Sequence, residues 1–196
     1  MYRNVKRAID GLASAVALLL LAPLLLFIAA RVKASSPGDV IFRQTRVGKD
    51  GRMFTIYKFR TMYETAPHMT PTHALKHAHR HTTRVGRRLR VLGLDELPQL
   101  INVLKGDMSL VGPRPALPGQ TDLLTLRESC GANSVRPGLT GWAQVNGRNE
   151  IPIAVKARLD GEYVASLGFA MDAKCVLLTL FGSKKHPLRF SEGRRV

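Results

Sequence analysis

The chain of 196 residues is poor in cysteine, in aromatic side chains and in acidic side chains. Its two cysteines, Cys130 and Cys175, lack the spacing of a metal site, so we expect reduced thiols in a protein that faces the cytosol. Aromatic residues make up 6%, and no nucleic-acid-binding signature is visible, which argues against a nucleic-acid partner. Because 14 acidic residues face 30 lysines and arginines, the net charge is +16. This charge indicates an anionic partner, such as a membrane surface or a phosphorylated substrate.

One long apolar run, residues 11–30, contains no charge and reads GLASAVALLLLAPLLLFIAA. As a straight helix it would reach about 30 Å, the thickness of the hydrocarbon core. Pro23 predicts a kink near its middle. The positive-inside tendency would keep both basic flanks in the cytoplasm; these flanking residues are Arg3, Lys6, Arg7, Arg31 and Lys33. The pattern predicts a helix that enters one leaflet and returns, with a spanning helix or a signal peptide as alternatives.

Two strands are predicted after this run, at residues 40–44 and 52–57, with a glycine-containing turn at 48–51. Basic side chains decorate this hairpin and its exit; they are Arg43, Arg46, Lys58 and Arg60. They could form a phosphate or lipid-headgroup surface, or only a solvated basic face. Residues 64–82 then hold five of the six histidines, which prolines interrupt and which no cysteine accompanies. We expect a loop there rather than a metal site.

An acidic pair lies at the centre of the chain, in residues 90–115. Leucine and isoleucine side chains at i, i+3, i+4 and i+7 predict one apolar stripe of a short helix; they are Leu97, Leu100, Ile101 and Leu104. Asp95 and Glu96 fall in its first turn, where carboxylates complement unpaired N–H groups, and Gly106 predicts its end. Such a pair is often a simple cap.

The same pair, bracketed by Arg90 and Arg114, also suits phosphoryl chemistry, because one carboxylate could attack phosphorus while the other holds a metal ion. Further along the chain, residues 136–149 pack glycines, two arginines and Trp142 into a short stretch. Helices are predicted at 151–167 and 169–181. We divide the chain into a membrane-embedded helix at 1–35, a catalytic domain at 36–182 and a basic tail at 183–196.

Three motifs occur in order: SPGDVIFRQTRVGKDGRMFTIYKFRTM at 36–62, LDELPQLINVLKGDMSLVGPRP at 94–115 and RPGLTGWAQVNGRN at 136–149. Together they resemble the bacterial sugar transferase family, the monotopic phosphoglycosyl transferases. The fold we expect is mixed α/β and helix-rich, with a short β-hairpin and an N-terminal re-entrant, Pro-kinked membrane helix. The resemblance also matches Asp10 to the acid of the family's Lys-Arg-x-x-Asp start, and we expect a nearby basic partner for it.

The resemblance implies transfer of a sugar 1-phosphate from a nucleotide diphosphate sugar, a UDP-sugar, to polyprenyl (undecaprenyl) phosphate. Asp95 would attack the β-phosphate, and the lipid phosphate would then attack the aspartyl phosphosugar. Glu96, together with Asp95, would hold Mg²⁺, while Arg90 and Arg114 would neutralise phosphoryl oxygens.

Further substrate-binding residues follow from the resemblance or from the basic hairpin; they are Lys58, Arg60, Arg136, Gly141, Asn146, Arg148 and Asp160. The protein would lie at the cytoplasmic face of the bacterial inner membrane, in contact with membrane lipid, and would hand its product to downstream glycosyltransferases. The family usually carries an Asp and an Arg where this chain has His79 and His81, so a role of that Asp is not carried over. The alternative is a non-catalytic basic membrane adaptor, which would tolerate the loss of Asp95.

Overall fold

A computed structural model describes residues 2–65, 81–147 and 151–182. Helices alternate with short strands in this part of the chain. Seven α-helices and four strands follow in the order α1 Tyr2–Ser35, β1 Ile41–Val47, β2 Met53–Phe59, α2 Arg84–Leu92, α3 Gln99–Lys105, β3 Ser109–Val111, α4 Thr121–Ser129, β4 Gly138–Thr140, α5 Trp142–Val145, α6 Ile153–Ala165 and α7 Phe169–Phe181. The expected mixed, helix-rich fold is confirmed.

The predicted β-hairpin is present, and both strands run two or three residues further than the sequence pattern indicated. Strands β1 and β2 pair antiparallel from Ile41 opposite Phe59 to Val47 opposite Met53. The turn contains Asp50 at φ 53°, a left-handed conformation that a short polar side chain tolerates. The hairpin places Lys58 at its end, beside the turn before α3, and Arg60 follows the last residue of β2.

A buried asparagine joins the hairpin to α3. The Asn102 side chain is 0% exposed; its Oδ1 accepts from Tyr57 N at 3.1 Å, and its Nδ2 donates to Thr55 O at 2.7 Å. Leaving these backbone groups without partners would cost about 1–3 kcal/mol each. Asn102 therefore fixes where α3, and the acidic pair before it, sit against the hairpin.

Helix α3 ends where predicted, because Gly106 adopts a left-handed φ of 94° at its C-cap. The predicted apolar stripe is wrong for half of its members. Ile101 and Leu104 are 42% and 44% exposed, whereas the buried face of the helix is formed by Gln99, Leu100, Asn102 and Val103. Specific hydrogen bonds draw Asn102 inward and rotate the apolar residues on its other face toward the surface.

Helix α1 is a continuous helix of 34 residues with Pro23 inside it, and it is long and apolar enough to cross a membrane. Its buried residues lie near its two ends, Asp10 and Ser14 at the start and Ile28 and Val32 toward the finish. Between them the large side chains are exposed, including Leu19 at 77%. The late part of α1 packs with Phe59 and Leu89 in one apolar cluster.

The first turns of α1 are bound to the rest of the protein by polar groups. Lys6 Nζ lies 3.4 Å from Asp10 Oδ2, which confirms a basic neighbour as the partner of Asp10, and 2.7 Å from Asp172 Oδ2 on α7. Asp10 also accepts from Ser109 Oγ at 2.6 Å. Arg7 donates to the carbonyl oxygen of Val103 at 2.6 Å, at the C-terminal end of α3. These contacts join α1, α3, β3 and α7.

A parallel pair of three-residue strands, β3 and β4, was not predicted. Ser109 pairs with Gly138, and Val111 pairs with Thr140. The approach is close, because a Cβ at Gly138 or Gly141 would collide with the backbone of Gly112. This packing requires glycine and holds the turn that begins at Gly112 in a fixed place.

Candidate active site

Three separate segments bring charged side chains together around Glu96. Lys58 comes from the end of β2, Glu96 from the 3-10 turn Leu94–Glu96 that precedes α3, and Arg114 from the turn after β3. Glu96 Oε1 lies 2.7 Å from Lys58 Nζ and 2.7 Å from Arg114 Nη2. Glu96 Oε2 accepts from Arg114 Nη1 at 3.4 Å. The predicted meeting of Glu96 with Arg114 is present, and Lys58 joins them.

These contacts set the ionisation of the cluster. Burial raises the pKa of Glu96, but the charges of Arg114 and Lys58 outweigh it, so the pKa lies well below the usual range. Burial lowers the pKa of Lys58, and Glu96 opposes that change. Burial likewise acts to lower the pKa of Arg114, yet the adjacent Glu96 carboxylate leaves it raised. Glu96 is therefore a fixed anion between two cations near neutral pH.

Asp95 is the neighbour of this anion and has a different environment. Within the described residues its carboxylate makes no ion pair within 4.0 Å. Burial raises the pKa of Asp95, Glu96 raises it further, and Lys58 and Arg90 oppose the change. The predicted position of Asp95 at a helix start favoured a lowered pKa. Burial and the charge of Glu96 decide the direction instead, and Asp95 lies in a 3-10 turn while α3 begins only at Gln99.

Two more arginines surround the acidic pair. Arg90, in the last turn of α2, donates from Nε to Thr61 Oγ1 at 2.8 Å, and its charge acts on Asp95 without an ion pair. Arg46 on β1 donates to the carbonyl oxygen of Pro115 at 3.1 Å. Burial and the charge of Arg114 lower the pKa of Arg46 to about 10. The sequence placed Arg46 on the hairpin but gave no signal that it reaches the Arg114 turn.

A buried ion pair supports the Arg114 turn from behind. Arg127 on α4 donates from Nε to Asp160 Oδ2 at 2.8 Å, and Arg127 Nη2 lies 2.7 Å from the same oxygen. Arg127 Nη1 donates to the backbone oxygen of Arg114 at 3.0 Å. Burial raises the pKa of Asp160, and Arg127 opposes the change. Sequence reasoning missed Arg127, a single arginine in a helix without a motif.

The structure places other predicted site residues away from Glu96. Arg60 is buried at 7% exposure and donates to the Ser36 backbone oxygen at 2.7 Å, at the end of α1. Arg136 donates from Nε to the Gly106 oxygen at 2.8 Å. Asp160 is 1% exposed and is paired as described above. Their roles toward a substrate remain predictions.

The glycine-rich segment around β4 has mostly internal partners. Gly141 packs on Gly112, and Asn146 Nδ2 donates to the Trp142 carbonyl oxygen at 2.8 Å. Trp142 Nε1 donates to Glu162 at 3.1 Å, and Lys174 Nζ lies 4.6 Å from the Trp142 ring centroid. Arg148, the basic tail and four of the five clustered histidines, His68, His73, His77 and His79, lie outside the described residues.

The donor chemistry of the acidic pair fits a magnesium ion that also binds substrate phosphates. Mg²⁺ is commonly held by one or two carboxylates together with phosphate oxygens and water. Glu96 Oε2 has only the 3.4 Å contact with Arg114, and Asp95 has no cationic partner within 4.0 Å among the described residues. In that part of the chain, no group of three or more His, Cys, Asp or Glu side chains is arranged to hold a metal by itself. Substrate phosphates would therefore complete the site.

Comparison with known proteins places these contacts in a family context. A model of the bacterial sugar transferase family matches residues 1–185. The chain is 42% identical over 185 residues to the undecaprenyl-phosphate glucose phosphotransferase of Komagataeibacter xylinus, covering 89% of this chain and 35% of that protein. It is 43% identical over 179 residues to the uncharacterized sugar transferase EpsL of Bacillus subtilis, covering 90% and 85%.

A third relative is the UDP-glucose:undecaprenyl-phosphate glucose-1-phosphate transferase of Escherichia coli. Identity is 45% over 186 residues, with 91% of this chain and 40% of that protein covered. The chain thus spans well under half the length of two of these three relatives and most of the length of the other. The matched region includes every described residue of the cluster around Glu96.

Proposed function

The chain belongs to the bacterial sugar transferase family, and we propose that it transfers a sugar 1-phosphate from a UDP-sugar to polyprenyl phosphate. The observation that carries the proposal is the convergence of Lys58, Arg90 and Arg114 on the Asp95–Glu96 pair. Similarity to relatives named as glucose-1-phosphate transferases supports the substrate classes. The product, a polyprenyl diphosphate sugar, would be the first membrane-bound intermediate for glycosyltransferases that build a polysaccharide or glycoconjugate.

Asp95 is the nucleophile in this proposal. Its carboxylate oxygen attacks the β-phosphorus of the UDP-sugar, and the bond to the bridging oxygen breaks, so that uridine monophosphate leaves with the bonding electrons. An oxygen of polyprenyl phosphate then attacks the same phosphorus and displaces the Asp95 carboxylate. The two displacements divide one difficult transfer into two easier steps. Asp95 suits this role because its carboxylate has no ion-pair partner within 4.0 Å among the described residues.

The surrounding charges would lower the barrier to both displacements. A carboxylate approaching a phosphate meets like charge, and cations at the phosphoryl oxygens reduce that repulsion. Arg114 is held from behind by Arg127, and Lys58 is held by Glu96, so both cations are ordered before substrate binds. A magnesium ion bound by Asp95, Glu96 and the phosphates would supply further charge neutralisation there.

Rapid quenching with a UDP-sugar in the absence of polyprenyl phosphate tests the covalent route. Wild-type protein should gain the mass of one phosphosugar on Asp95 and release one uridine monophosphate in the same step. Asp95→Asn keeps the shape and loses the anion, so neither product should form. Nucleotide release that strictly requires the lipid, without an adduct, would favour direct transfer. A membrane adaptor would keep its function after Asp95→Asn.

The contacts at both ends of α1 support a re-entrant position in the membrane. Arg7 near its start binds the end of α3, and Val32 near its finish packs with Phe59 and Leu89. A helix that crossed the hydrocarbon core, about 30 Å thick, would separate its two ends by the bilayer. With both ends on one body, the exposed apolar middle would enter one leaflet, with Pro23 as the site of a bend. The protein would then lie at the cytoplasmic face of the inner membrane.

Cysteine labelling tests this topology. Arg3→Cys and Lys33→Cys, each in a background of Cys130→Ala and Cys175→Ala, should both react with a membrane-impermeant thiol reagent only from the cytoplasmic side. The cysteine-free background is the control for nonspecific labelling. Reaction of one position from the periplasmic side would establish a spanning helix instead.

A further inference from the structure

A cavity of about 260 Å³ opens between the first turns of α1, strand β3 and the segment that leads into β4. It is separate from the cluster around Glu96. Arg7 of α1, which lines the cavity, contacts the C-terminal end of α3, whereas Glu96 lies before the N-terminal end of α3. Five basic side chains and one acidic side chain line it; they are Arg3, Lys6, Arg7, Lys49, Arg136 and Asp10.

Most of this positive charge is not neutralised inside the protein. Lys6 is paired with Asp10 and Asp172, and Lys49 is paired with Asp50, so the unneutralised charge is that of the three arginines. Arg7 and Arg136 donate to backbone carbonyl oxygens, which satisfy hydrogen bonds but carry no net charge. Arg3 makes no ion pair with a described residue. A partly enclosed space with unpaired guanidinium groups is a favourable environment for an anion, and a phosphate matches the guanidinium fork best.

The position of the cavity identifies the source of that anion. Lys6 and Arg7 lie four or five residues before the apolar run begins at Gly11, which is about 6–8 Å along a helix. This distance is close to the thickness of the headgroup layer on one side of a bilayer. On the same helix Val5 and Ile9 are exposed apolar side chains, at 49% and 47%. Basic side chains therefore lie next to exposed apolar side chains here, an arrangement that matches the charged headgroup and the apolar tail of a phospholipid.

We propose that this cavity binds the phosphate-bearing headgroup of an anionic membrane phospholipid. The site rests on the proposed membrane position of α1, but it is not needed for the transfer chemistry. The bound headgroup would place its negative charge beside Arg3, Arg7 and Arg136 and hold the start of α1 at the surface of the bilayer. It also gives Arg136 a lipid contact rather than a contact with the nucleotide sugar.

Native mass spectrometry of the full chain in detergent, with added phosphatidylglycerol, tests the proposal. Wild type should retain one phosphatidylglycerol, and Arg3→Gln should lower the affinity, measured by titrating the lipid, by about tenfold, the effect of losing one charge-assisted contact to phosphate. Arg3→Lys should recover part of it, because charge remains while the fork is lost. Arg52→Gln, an exposed arginine in the hairpin turn, is the matched control and should bind like wild type.

Several outcomes would overturn the proposal. Retention that is equal in Arg3→Gln and wild type, or equal for phosphatidylcholine and phosphatidylglycerol, would exclude an anionic headgroup in this cavity. Displacement of the lipid by millimolar inorganic phosphate would indicate a site for free phosphate, and preferential retention of polyprenyl phosphate would indicate the acceptor site. Transfer activity is measured on the same samples, so an inactive protein that still retains phosphatidylglycerol refutes the proposed function and leaves the lipid site standing.

Discussion

Two arginine–carboxylate pairs in this protein have the same length and different surroundings. Arg114–Glu96 and Arg127–Asp160 both measure 2.7 Å, but the side chains of the first are 39% and 21% exposed, and those of the second are 5% and 1% exposed. A pair that a ligand can reach can exchange partners with a phosphate, whereas a sealed pair cannot do so without opening the fold. We infer that the first pair serves the reaction and the second holds it in place.

The two pairs are connected through the backbone of Arg114. Arg127 contacts the backbone oxygen of Arg114, so the buried pair fixes the base of the exposed one. The cost of isolating a buried charge is high, and an exposed pair contributes little to stability. Substitutions in the two pairs should therefore have opposite profiles, with stability lost in one and turnover lost in the other.

Asp160→Asn should produce the largest effect, and it should appear in stability. It leaves the Arg127 guanidinium buried without a counter-charge, and breaking such a pair costs about 3–5 kcal/mol. Urea unfolding in detergent, followed by the fluorescence of Trp142, measures this loss. Glu96→Gln is the matched variant of the more exposed pair and should lower stability less than Asp160→Asn does, because Arg114 is 39% exposed and can reach water. An Asp160→Asn protein of normal stability that fails to bind UDP-sugar would make Asp160 a ligand contact, as the family resemblance implied.

Arg114→Gln should show the reverse profile. Removing a cation that is aimed at the reacting phosphate typically lowers turnover about 10²- to 10³-fold. Stability should fall less than in Asp160→Asn, because Glu96 keeps its 2.7 Å contact with Lys58. Arg114→Lys should be intermediate, since it keeps the charge but not the planar fork. Steady-state kinetics beside unfolding measurements gives both readouts, and Arg43→Gln, whose side chain is 60% exposed, is the control. A fall in turnover that follows an equal loss of stability would remove the distinction between the two pairs.

The elements of the fold differ in how well the sequence predicts them. The hairpin was predictable because two alternating runs flank a glycine turn, and α7 because an apolar stretch is bounded by Gly168 and Gly182. Strands β3 and β4 have three residues each, which is too short for any periodicity. Half of the stripe on α3 was wrong because a period-based argument takes buried residues to be apolar, whereas the polar Gln99 and Asn102 are buried and Asn102 is held by hydrogen bonds to the hairpin.

The residues of the candidate site also differ in whether a local sequence pattern identifies them. Asp95, Glu96 and Arg114 lie within twenty residues of one another, and one motif contains them all. Lys58 was named from a basic hairpin, and only the fold shows that it contacts Glu96. Arg127 has no motif and no periodic signal, because its position follows from how α4 packs on α6. Long-range contacts of this kind depend on tertiary structure and not on local pattern.

The smallest expected effect is a shift in pH dependence, and it concerns Arg90, a cation that acts on Asp95 without forming an ion pair. Burial and the charge of Glu96 raise the pKa of Asp95, and Arg90 acts against them. The proposed nucleophile must be ionised, so activity is present above this pKa and is lost as the pH falls through it. Arg90→Gln removes a charge that stabilises the anion, which raises the pKa of Asp95 further. The acid limb of the kcat/KM profile should therefore move to higher pH.

Thr61→Val separates the charge of Arg90 from its hydrogen bond. It removes the acceptor of the 2.8 Å contact from Arg90 Nε and keeps the guanidinium, so the acid limb should stay close to that of wild type. Arg88→Gln, on the exposed side of α2, should also leave the limb in place. An unchanged limb in Arg90→Gln, or an equal shift in Thr61→Val, would mean that Arg90 acts on the site through packing rather than through its charge. In that case the ionisation of Asp95 depends on burial, Glu96 and Lys58.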